Sequence, residues 1–241
     1  MALPVLDFPT FDLKLPSTGK KIKYRPFLVK EEKVLLIAIE SGEESDIVQA
    51  VQEILKACIL TEKVDILNLA SFDIEYIFLK IRSKSVGEIV ELSYQHVDGK
   101  NKDGKDCDHV QEVEVNIDAV EVNTSKGHSR KIMITDNIGV KFRYPNFDMI
   151  SENKEIEDEV ERTFQIIYNC VDVIWEGDEV HDEFTEAELK AFVESMSKDQ
   201  FEKLSGFFGT MPTLSTTIEY TCGGCGQEEK IEVSGLADFF T

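Results

Sequence analysis

Basic residues are scarce in this chain. Lysine and arginine together number 26 against 47 aspartates and glutamates, a net charge of −21. A surface that negative repels nucleic acid and anionic lipid. Long apolar runs are missing too. The longest, Val34-Leu35-Leu36-Ile37-Ala38-Ile39, is bounded by Lys33 and Glu40 and is too short to span a bilayer. The start, Met1-Ala2-Leu3-Pro4, lacks the basic and apolar regions of a signal peptide, so the expected location is a cytosol. No Gly-x-x-x-x-Gly-Lys-Ser/Thr loop, no Gly-x-Gly-x-x-Gly turn and no Gly-x-Ser-x-Gly elbow occurs, which removes the common nucleotide-binding and hydrolase signatures. Cysteine is limited to Cys58, Cys107, Cys170, Cys222 and Cys225. An odd number in a reducing compartment does not suggest a disulfide framework.

What is present is a globular balance of 42% hydrophobic and 30% charged residues. The 241 residues suffice for one large domain or two small ones. With no catalytic constellation in view, the composition points to a protein that binds other proteins and is not an enzyme.

The order of elements falls into two similar halves. In the first, Leu13 and Leu15 lead into the turn Pro16-Ser17-Thr18-Gly19, and Ile22 and Tyr24 alternate with lysines on the return strand. Helical spacing follows over 28–40 and again over 44–58, where Ile47, Val48, Val51, Ile54, Leu55 and Cys58 share a face. Asp73 is placed to cap a third helix carrying Ile74, Ile77, Phe78 and Ile81. Strands at 89–94 and 110–117 enclose a polar loop. In the second half, a hairpin turns at Asp136-Asn137-Ile138-Gly139. A helix spans 155–170, a short strand or loop spans 171–175, and helices span 186–195 and 198–208. Strands at 216–221 and 230–233 close the half. Lys21-Ile22-Lys23-Tyr24 matches Lys141-Phe142-Arg143-Tyr144, Cys58 matches Cys170, and Leu92 to His96 matches Ile218 to Cys222. The expected architecture is therefore α+β: an internal duplication with repeats at 1–122 and 123–241, each a hairpin, helices and a ribbon-like strand pair. The basic run Lys20-Lys21-Ile22-Lys23-Tyr24-Arg25 is expected to project from both faces of its hairpin. It reads either as a charge-protected edge strand or as a contact stripe for an acidic partner.

One constellation carries chemistry. Cys222-Gly223-Gly224-Cys225 is a turn between two strand patterns, the usual half-site for structural zinc. Tetrahedral zinc needs two more ligands. The matching loop of the first half has His96 where Cys222 falls and Cys107 near where Cys225 falls, with His109 a spare. A set of His96, Cys107, Cys222 and Cys225 holding one structural zinc ion would tie the halves together. Redox chemistry fits less well, because a thioredoxin-type turn opens a helix and this one leads into a strand. The loop from Asp98 to Asp108 is no calcium loop, since Lys100 and Lys102 fall at liganding positions. A zinc-ribbon module acting on nucleic acid or the transcription machinery is the alternative function, and the net charge disfavours it.

Three blocks also resemble a known family. Residues Pro16-Ser17-Thr18-Gly19-Lys20-Lys21-Ile22-Lys23-Tyr24-Arg25-Pro26-Phe27-Leu28-Val29-Lys30-Glu31-Glu32-Lys33 are similar to the opening of the baseplate hub proteins of T-even-type tailed bacteriophages. The stretch from Phe72 to Glu88 resembles their next block. Gln200-Phe201 to Phe207-Phe208, Met211-Pro212 and Cys222 to Cys225 resemble their end. The resemblance implies a non-enzymatic part in building the baseplate hub, as a virion structural subunit or as a tail-assembly chaperone. It implies other hub or tape-measure proteins as partners, and a place in the host cytoplasm during assembly or in the virion baseplate. It also implies a close Cys pair in the first half, where this chain has His96 and the distant Cys107.

Overall fold

A computed structural model describes residues 6–241 except 97–98, 101–103, 105, 147, 150–152, 154–155, 236 and 240–241. The described residues hold six α-helices and four small antiparallel sheets, an α+β architecture. They group into two compact units. One contains Met1–Ile66, Phe72–Asn123 and Thr213–Thr241, and the other Leu67–Ser71 and Thr124–Pro212. The closing ribbon of the chain thus packs with the first unit. Packing and ancestry divide a chain by different criteria, so these units do not decide where a repeat would begin.

In the first unit, β1 (Phe11–Lys14) pairs with β2 (Lys21–Tyr24). Ile22 and Tyr24 are buried while Lys21 and Lys23 face solvent, so the lysines share one face and do not project from both. Nor is β2 a bare edge. Its outer side bonds the segment after α2, through Arg25 N–H to Cys58 O (3.0 Å) and Leu60 N–H to Lys23 O (2.8 Å). Arg25 turns inward. It is 5% exposed and pairs with Glu31 at 2.9 Å, so the last cation of the basic run serves the interior.

Helices α1 (Val29–Ser41) and α2 (Glu44–Cys58) follow. α3 (Ser71–Ser85) is buried over most of its circumference, as its weak amphipathic pattern requires. Asp73 lies inside this helix and does not cap it. Its carboxylate accepts from the Ser17 backbone N–H at 3.0 Å and from the Ser17 hydroxyl. Lys80 is also buried, donating to the backbone carbonyls of Asp118 and Val120. A hairpin of β3 (Ile89–Gln95) and β4 (Val110–Asn116) comes next. β5 (Glu121–Asn123) pairs with β10 (Thr213–Thr221), which pairs with β11 (Glu228–Ser234). One core joins them, with Tyr76 and Leu79 of α3, Leu92, Val115, Leu214, Ile218 and Val233.

The second unit is built on the sheet β6-β7-β8-β9: Lys131–Met133, Ile138–Phe142, Val171–Glu176 and Glu179–His181. The stretch 171–175 is therefore an interior strand. Helix α4 (Glu159–Cys170) starts after Asp158, whose side chain accepts from Glu161 N–H. That cap moves the start inward from the expected 155, a residue outside those described. α5 (Glu186–Glu194) and α6 (Lys198–Thr210) begin with the capping boxes Thr185/Glu188 and Ser197/Gln200. Their apolar faces close a core in which Phe142 stacks on Phe207 at 4.5 Å. The hairpin β6–β7 grows into four strands, whereas β1–β2 remains a two-stranded sheet. The architecture does not show the expected duplication.

Glu75 on α3 gives a pH test. Burial pushes its carboxyl up to about 7 from an ordinary 4.5. A carboxyl that holds its proton more tightly when folded costs stability as pH rises from the unfolded value through the folded one. Glu75→Gln is expected to stabilise the chain by roughly 1–3 kcal/mol at pH 8 and to leave it unchanged at pH 4. Thermal unfolding at the two pH values checks this, and equal effects at both would contradict it.

Candidate metal centre

Two ribbons of the first unit build the site. The β3–β4 register runs from Ile89↔Asn116 to Gln95↔Val110, and His96 N–H then bonds His109 O at 3.0 Å. The β10–β11 register runs from Ser215↔Ser234 to Thr221↔Glu228, and Cys222 N–H then bonds Gln227 O at 2.8 Å. His96 and Cys222 thus occupy the same place, one residue beyond the first strand of each ribbon. Tyr94 and Tyr220, two residues earlier, stack at 6.3 Å. The loop after His96 returns through a bond from Cys107 N–H to Gly99 O at 2.8 Å.

The outcome is a cluster of His96, Cys107, Cys222 and Cys225 whose ligand atoms all lie within 4.8 Å of one another. His96, Cys107 and Cys222 are buried, and Cys225 is partly exposed. The Sγ atoms of Cys107 and Cys222 are 3.7 Å apart, and Cys225 Sγ lies 3.2 Å from His96 Nδ1. Two thiolates at ~2.3 Å from a tetrahedral zinc stand ~3.8 Å apart, which matches the sulfur pair. The cluster can hold a metal ion such as zinc.

The surroundings fit that use. Backbone N–H groups of Cys225 and Gly224 point at Cys222 Sγ and hold its thiol below the ordinary cysteine range, which favours the thiolate that a cation needs. The low value arises from turn amides and neighbouring thiols, with no helix N-terminus involved. Close packing explains the small residues nearby. A Cβ on Gly224 would lie 2.6 Å from His109 Cβ, and one on Gly99 would lie 2.3 Å from His96 Cε1. Gly223 N–H donates to Gln111 Oε1 at 3.1 Å, fastening the Cys turn to the opposite ribbon.

Sequence reasoning named these four residues, and the structure brings them together despite the long loop between His96 and Cys107. His109 stays outside the cluster, its ring lying beside Gly223 and its carbonyl bonding His96. Glu229 was missed. Its Oε1 is 2.8 Å from His96 Nε2, although the buried nitrogen makes no well-directed hydrogen bond. With Nδ1 toward the sulfurs, Nε2 is the free side of the ring, where metal-bound histidines meet a carboxylate or carbonyl. The only signal for Glu229 in the sequence is its pairing opposite Tyr220, which requires the ribbon register.

A family model described as T4 bacteriophage base plate protein matches residues 8–241. The chain belongs to this family. No curated protein and no solved structure matches it. Members of the T4 base plate family are structural proteins of the phage baseplate, so other baseplate proteins are the partners to consider. Among the described residues, no helix is long and apolar enough to cross a membrane.

Cobalt(II) added to the reduced full chain is expected to give thiolate-to-metal charge-transfer absorption that saturates at one ion per chain. Cys222→Ser should remove most of that signal. Glu229→Gln should weaken the affinity by ~10–100-fold while keeping the spectrum. Unchanged affinity in Glu229→Gln would show that the carboxylate does not hold the imidazole.

Proposed function

We propose that this chain is a non-enzymatic hub protein of the phage baseplate that binds other hub or tape-measure proteins. The ribbon cluster of His96, Cys107, Cys222 and Cys225 acts as its structural zinc site. The observation that carries the zinc reading is the closure of the cluster. Four protein donors lie within 4.8 Å of one another, a full tetrahedral set, whereas a catalytic zinc keeps a position open for water or substrate. The cluster joins two ribbons that are far apart in sequence, a staple that holds a binding surface in shape. Family membership supports the baseplate role.

The surface supports protein binding as well. Val29, Leu36, Ile37 and Ile39 of α1 are 79%, 59%, 58% and 44% exposed. Such a face suits a subunit that is covered by neighbours in the particle, and equally a chaperone that covers a neighbour until assembly. In both cases the protein works in the host cytoplasm during assembly.

An origin by duplication, with repeats at 1–122 and 123–241, belongs to the same reading. It is supported by the equivalent places of His96 and Cys222, by the stacked pair Tyr94 and Tyr220, and by the identical alternation of burial along β4 and β11.

Mass spectrometry of purified virions beside lysate from infected cells tests the role. A fixed ratio to hub proteins in the particle is the result expected of a structural subunit. Abundance in lysate complexes with hub or tape-measure proteins, and absence from particles, is expected of a chaperone. Absence from both particles and such complexes would overturn the proposal.

A further inference from the structure

The second unit carries a cavity of ≈ 290 Å³ that the metal centre does not explain. Ile138 of β7 and Ile174 of β8 form its floor, and Phe184, Leu189 and Phe192 form its wall. Glu176, Glu183, Glu188 and His181 line the rest, with no lysine or arginine. Glu188 is occupied as the partner of Thr185 in the α5 cap. Glu176 and Glu183 are exposed, and their carboxylates have no hydrogen-bond or ion-pair partner among the described residues. The opening is therefore an apolar pocket with two free carboxylates at its mouth. A cationic head on an apolar stem suits it, as the side chain of arginine or lysine provides.

A second feature meets the pocket. β9 is the last strand of the β6-β7-β8-β9 sheet and pairs only with β8, through Ile174↔His181, Trp175↔Val180 and Glu176↔Glu179. Its outer edge offers backbone donors and acceptors, and among the described residues no strand covers it. His181, which ends β9, also lines the pocket. An extended segment added along β9 would deliver alternate side chains toward the pocket mouth.

Charge selects the occupant. The edge and its continuation carry Glu179, Asp182 and Glu183. A second copy of this chain, at −21, would be repelled, as would a nucleic acid or an anionic membrane. We propose that β9 and the adjoining pocket bind an extended, basic segment of a different protein, seating one arginine or lysine between Glu176 and Glu183. The proposal takes from the baseplate reading only that the partner is a protein.

The test uses the ¹⁵N-labelled full chain and the acetylated, amidated peptide Arg-Val-Arg-Val-Arg, at ~0.15 M salt to screen diffuse attraction. Amide shifts are expected to concentrate at 138 and over 174–192. The combined substitution Glu176→Gln and Glu183→Gln should weaken binding at least tenfold. Glu112→Gln with Glu114→Gln, on β4, should leave it unchanged, and the peptide with glutamate in place of arginine should not bind. Shifts scattered over the acidic surface, or equal affinity in the pocket variant, would overturn the assignment. If the peptide fails while the chain still co-purifies with hub proteins, the pocket proposal falls and the hub reading stands.

Discussion

Four ligand atoms gathered within 4.8 Å set the terms for one end of both ribbons. Thiols this close compete for protons, and their anions repel one another across a mostly buried space. A dication relieves that repulsion, since three thiolates and one divalent ion leave a single negative charge. The neighbourhood is arranged around the same demand. Turn amides face Cys222, a carboxylate faces the outer nitrogen of His96, and glycines at 99 and 224 allow the loops to approach.

The two units solve burial differently. The first contains several charged groups inside, each with a partner: Arg25 with Glu31, Lys80 with backbone carbonyls, and Asp73 with Ser17. Removing one partner of a buried pair leaves an uncompensated charge, which commonly costs ~3–5 kcal/mol. The second relies on aromatic packing, with Phe142, Tyr144 and Phe207 stacked behind the sheet. A metal staple suits the first unit, whose chain enters it in three separate stretches. The α1 face is exposed at Val29, Leu36 and Ile37, and the acidic pocket opens at the margin of the second core, to which its Ile174, Phe184, Leu189 and Phe192 belong.

Local features were readable from the residues. The spacing over 44–58 returns as α2 with the same ends, and the alternation around Ile22 and Tyr24 returns as β2. The four cluster residues were found by matching one ribbon loop to the other. Long-range pairing was the part hidden from local periodicity. Asp73 has the chemistry of a cap, yet a partly buried bond to Ser17, 56 residues away, claims it. β5 and β9 are three-residue strands whose pairing comes from neighbours and not from their own pattern. Glu229 stands among other acidic residues with no local signal of its own, and only the ribbon register puts it beside His96.

X-ray absorption at the zinc edge, on the protein purified under reducing conditions, reads out directly whether His96, Cys107, Cys222 and Cys225 hold the ion. One zinc per chain is expected, with three sulfur scatterers at ~2.3 Å and one nitrogen at ~2.0 Å. Protein that folds and binds its partners without zinc, or a shell of oxygen and nitrogen alone, would contradict it.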